Sequence, residues 1–198
     1  MGAKMTISAF VPKLGLWLAP LLALVVAGCS SVPKAFDSKA QERNPAPCPN
    51  VLVLPEASRV IKFNGEKTLE NVAWTGEILG ISTTCRYYDD NPIEAEVTVD
   101  FAFGRGPMAD SHQTQMKYFI AVTRTNRDLI AKEEFVLPVK FKGNKTTVQL
   151  SDNVQKILIP RKDENISGVN FEIIIGFSLS RDEVIYNRSG KSLRFPDL

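Results

Sequence analysis

The residues able to do chemistry are few and scattered. His112 is the single histidine of 198 residues, and its setting, GRGPMADSHQTQ, is a polar loop that offers it no sequence-local partner of catalytic type. A Ser-His-Asp arrangement would have to use it, and no Gly-x-Ser-x-Gly elbow exposes a nucleophile. Glu94, Glu96 and Asp100 provide paired carboxylates of the kind glycoside hydrolysis uses. Their spacing puts them on one face of a strand whose other face carries Val97, Val99, Phe101 and Phe103, so they read as a solvated face. Gly104-Arg105-Gly106-Pro107 has the outline of half a phosphate loop, yet Pro107 lacks an N–H and no Gly-Lys-Ser/Thr follows, so a turn is expected. With one histidine and no Cys-x-x-Cys, no zinc site is supported, and neither a metal nor a cofactor is expected. The chain reads as a non-enzyme.

Composition narrows the class further. The chain is 44% apolar and 23% charged, which suits one modest globular domain with short appendages. Of its 24 cations, Lys4 and Lys13 lie in residues 1–28, where there is no acid, leaving 22 of each sign in the remainder. A balanced chain lacks the basic field that neutralises phosphates, so nucleic acid is not an expected partner.

Residues 1–28 carry early lysines, an apolar run from Leu14 to Ala27 broken by Pro20, and a small-residue exit, Val26-Ala27-Gly28-Cys29. The run is shorter than the roughly 20 residues of a spanning helix, which favours a cleaved secretory signal. Val26-Ala27-Gly28-Cys29 resembles the lipobox of bacterial lipoproteins, with Val at the position where Leu is commonest. The resemblance implies cleavage before Cys29, a diacylglycerol thioether on it, and a mature protein held at the membrane by its acyl chains. Ser30 and Ser31 follow the cysteine, and by similarity to Gram-negative lipoproteins the absence of Asp there implies sorting to the outer membrane, facing the periplasm. Residues 29–47 continue as a polar, Pro-punctuated flexible tether.

Lipid on Cys29 leaves Cys48 and Cys85 as a pair in an oxidising compartment. A bridge between them closes a loop that chain entropy values at roughly 4 kcal/mol. Two buried thiols or a metal pair are the competing arrangements.

The rest of the chain is a succession of strand signals. Val51–Leu54 and Arg59–Phe63 open it, and Val72–Tyr88 reads as one long strand bent or bulged near Gly76 and Gly80. Ile93–Phe103 alternates cleanly, as an antiparallel sheet wet on one side requires. Met116–Thr125 and Leu129–Lys142 continue the pattern across a tight Asn126-Arg127-Asp128 connection, and Pro138 marks an edge or a bulge. Thr146–Leu150 and Ile157–Ile159 suggest two short strands, and Phe171–Leu179 supplies the last strong alternation. Ser180 is placed to cap a helical turn, and Trp74 is the aromatic expected between the sheets. The expected fold is all-β: a single antiparallel β-sandwich over residues 48–186, followed by a frayed tail at 187–198.

In architecture this domain resembles an immunoglobulin or fibronectin type III module. Through VAWTGEI from Val72, Cys85-Arg-Tyr, Arg105-Gly-Pro and YFIAVTR with the later IAKEEF, it is also similar to uncharacterised lipoproteins of alphaproteobacteria. That resemblance implies no catalytic assignment. The expected function is a binding or scaffolding module for an envelope protein partner, with a small-ligand or glycan-binding lipoprotein as the alternative and an envelope enzyme behind both. Candidate contacts are the edge strand carrying Pro138 and the loop from Gly104 to Gln115, with Arg105, Met108 and His112.

Overall fold

A computed structural model describes residues 47–193. The signal segment, Cys29, all of the tether but Pro47, and the last five residues lie outside the described part. Eight strands and one helix follow in order: β1 (Asn50–Val53), β2 (Arg59–Phe63), β3 (Val72–Arg86), β4 (Ile93–Arg105), β5 (Gln113–Arg124), β6 (Leu129–Lys140), β7 (Thr147–Ile159), β8 (Phe171–Phe177) and α1 (Arg181–Arg188). They form two four-stranded sheets, ordered β1-β8-β5-β6 and β2-β3-β4-β7, packed face to face as an all-β sandwich. The two-sheet architecture is the one expected. The pairing of β1 with β8 is parallel, which alternation cannot announce because it reports a face and not a neighbour.

The alternating residues become the core. From β4, Val97, Val99, Phe101 and Phe103 are fully enclosed, and from β8, Phe171, Ile173 and Ile175 meet them from the other sheet. Each such side chain contributes about 1.5–3 kcal/mol by leaving water. Phe101 is the hub: its ring lies 5.1 Å from Tyr118 and 5.8 Å from Phe177, joining the two sheets. Trp74 is buried as expected, its ring 5.6 Å from Phe141. The bulge in β3 falls between Ile78 and Gly80, leaving Leu79 half-exposed.

One expectation is corrected. Thr147–Ile159 is a single 13-residue strand, not two short ones. The polar run Ser151-Asp152-Asn153 looks like a break, but all three residues pair with β4, opposite Asp100, Val99 and Thr98. Asp152 sits at an inward position because the Tyr118 hydroxyl of the opposite sheet donates to it at 2.8 Å. Pro138 lies on β6, an outer strand, as its missing N–H suggested.

Ser180 caps α1 with a reciprocal box: its hydroxyl accepts from Glu183 N–H, and the Glu183 carboxylate accepts from Ser180 N–H. The helix runs past Tyr186 into the expected tail. There Asn187 donates to the carbonyls of Glu56 and Arg59, and Glu183 receives Lys62, so α1 lies along β2.

Candidate functional site

Two places concentrate polar side chains, and they lie at opposite ends of the strands. At the first, Cys48 and Cys85 form a disulfide with Cα atoms 5.7 Å apart. It joins the segment ahead of β1 to the end of β3, and so staples one sheet to the other. Tyr87 supports it: its hydroxyl donates to Pro47 O at 3.2 Å and accepts from Gly168 N–H at 3.4 Å. Gly168 is needed there, because a Cβ would lie 2.2 Å from Pro47 O.

Arg161 completes this end. Its guanidinium lies 4.7 Å from the Tyr87 ring centre and donates to the carbonyls of Asn91, Glu164, Ile166, Tyr88 and Asp89. One planar fork thus ties two loops together. Sequence reasoning passed over Arg161 because its partners are main-chain atoms, which carry no residue signature. Beside this knot an open cleft of about 500 Å³ is lined by Arg86, Tyr87, Tyr88, Pro92 and Leu158 among others. Glu94 faces it, and the hydrogen bond from Arg86 holds its carboxyl below the usual range.

The expected contact residues divide at the second end. Arg105 and His112 come together, Arg105 Nη1 lying 3.3 Å from His112 Nε2. Strand structure takes up the two ends of the expected loop, since β4 runs to Arg105 and β5 starts at Gln113. Gly106 and Met108 donate backbone N–H groups to Ala73 and Val72, which holds the remaining turn against β3; a Cβ on Gly106 would lie 2.2 Å from Val72 O. Met108 is 42% exposed. Pro138 belongs to a different feature. It lines an open groove of about 880 Å³ between the edges of β6 and β7, with Lys140, Lys142, Lys145, Val148 and Leu150. Among the described residues those three lysines form no ion pair.

The carboxylates of β4 are engaged across strands. Glu94 pairs with Arg86 and Lys156, Glu96 accepts from Asn153, and Asp100 accepts from Ser151. Among the described residues no cluster of three His, Cys, Asp or Glu is placed to hold a metal ion. The arrangement offers main-chain edges, a cationic groove and an aromatic cleft. The chain matches no family model, no curated protein and no solved structure.

Proposed function

We propose that this chain is a lipid-anchored protein of the bacterial envelope whose sandwich is a non-enzymatic binding or scaffolding module. Cys29 carries the acyl chains, Ser30 and Ser31 direct sorting to the outer membrane, and the domain faces the periplasm toward a protein partner. The observation that carries the reading is the Cys48–Cys85 bridge. It uses two of the three cysteines in a form characteristic of exported proteins, and the one left over stands in Val26-Ala27-Gly28-Cys29. The open edge of β7 adds main-chain donors and acceptors of the kind strand addition uses.

Labelled fatty acid tests the anchor. Wild-type protein takes up label and Cys29→Ser does not; label on the variant at the wild-type level overturns the assignment. Crosslinking in intact envelopes tests the module, the expected result being a defined protein adduct. The cleft beside Tyr87 and Tyr88 favours a second reading, a small-ligand or glycan-binding lipoprotein. A small molecule that raises the thermal midpoint, with no protein adduct in envelopes, would put that reading first.

A further inference from the structure

The four outer strands of the two sheets differ in what they leave open. β1 has only four residues. β2 is flanked by α1, whose Asn187 occupies the Arg59 carbonyl. On β6 the N–H of Phe141 donates to His112 O, which makes those two a hydrogen-bonded pair and turns the backbone of Lys140, Pro138, Val136, Glu134 and Lys132 outward by alternation. That edge lacks one donor at Pro138 and carries charges along its length, the two usual protections against pairing.

The first half of β7 has no proline, and its one charge, Asp152, points inward and is held by Tyr118 across the sandwich. Arg105 N–H donates to Thr146 O, so Arg105 and Thr146 are a hydrogen-bonded pair, and alternation turns the N–H and C=O of Thr147, Gln149, Ser151 and Asn153 away from β4. All four side chains are uncharged and exposed, and no proline interrupts them. Among the described residues nothing bonds to these outward backbone groups.

This segment is self-complementary. We infer that β7 pairs antiparallel with β7 of a second copy about a two-fold axis at Leu150, fusing two four-stranded sheets into one of eight. The axis sets Thr147 opposite Asn153 of the second copy and Gln149 opposite its Ser151, so outward backbone groups meet outward backbone groups at every pair. No like charges oppose each other within the segment. The same axis sets Lys145 of one copy opposite Gln155 of the other and Lys142 opposite Leu158, at the end where Glu94 already holds Lys156. The pairing rests on the backbone edge and is independent of the lipid anchor.

Sedimentation of the purified full-length chain in detergent tests it. The wild type sediments as a dimer. Thr147→Lys with Asn153→Lys places like charges directly opposite each other and raises the dissociation constant at least about tenfold. Thr147→Asp with Asn153→Lys places opposite charges there, with the new lysine also next to Glu96, and keeps the dimer. Both positions are exposed, and circular dichroism and the thermal midpoint confirm that both variants fold. A wild-type monomer at all concentrations overturns the inference, as does a dimer insensitive to the double lysine variant. Failure of the Asp-Lys variant to dimerise overturns the register.

Discussion

At the end of the sandwich where Pro47 enters, Arg161 donates to five backbone carbonyls and lies against Tyr87; at the other end Lys140, Lys142 and Lys145 line a groove and form no ion pair among the described residues. Cations serve opposite purposes in the two places. Where one guanidinium gathers carbonyls from two loops, two of them in part-buried bonds, removing it unties the loops from each other. Where an ammonium is fully solvated, removing it changes the field of the surface and little else. Charge at the first end belongs to folding, and charge at the second is available to whatever approaches.

The largest break in that contrast comes from the bridge. Cys48→Ala or Cys85→Ala lowers stability by about 2–5 kcal/mol, and each single variant matches the double because both remove the same bond. Chemical denaturation measures this, and mass mapping of unreduced protein with free thiols at both positions would refute the pairing. Next is Arg161→Met, which costs about 2–3 kcal/mol and speeds amide exchange in the loops around Tyr88 and Glu164. Arg161→Lys does not restore it, since an ammonium lacks the planar fork. Full protection with lysine would show that charge alone suffices.

Between the two ends, Tyr118 donates to Asp152, and burial followed by that hydrogen bond pushes the phenol well above its ordinary value. Tyr118→Phe costs about 1–2 kcal/mol at neutral pH. The sign of the pH effect follows from which state ionises first. Above about pH 10 the unfolded chain loses the phenolic proton while the folded chain keeps it, so this tyrosine's contribution declines as pH rises. Unfolding curves taken from pH 9 upward should therefore be flatter for the Phe variant, by about the contribution of one residue; identical slopes would refute the raised value. The smallest effect belongs to the groove. Lys142→Ala with Lys145→Ala shifts stability by no more than about 0.5 kcal/mol. A larger loss in a thermal melt would show that these lysines, too, are part of the architecture.

The sequence discloses these regions unequally. β4 and β8 are legible because every inward residue is apolar, and the cysteine pair is legible by counting. β7 is obscured at Asp152, where an inward polar residue imitates a turn until Tyr118 is seen across the sandwich. Arg161 is obscured for a deeper reason: RKDENISG is an ordinary polar loop with two charges of each sign, and Arg161's hydrogen-bond partners are atoms that every residue possesses. Arg105 and His112 stand in one expected loop and do meet, whereas Pro138 lines a groove whose other wall, the start of β7, belongs to the opposite sheet.

The disulfide also determines where a mechanical load would travel. Any pull arriving through the chain ahead of Pro47 meets Cys48 before it meets β1, and the bond hands that tension to Cys85 at the end of β3. Cys85 is paired with Ala95 of β4, so the load enters the twelve-pair ladder between β3 and β4 instead of peeling a four-residue strand from β8. Reduction redirects it onto β1 alone. Pulled from its N-terminus in single-molecule force measurements, the oxidised domain should bear tension as a unit, and the reduced one should first give way at Asn50–Val53.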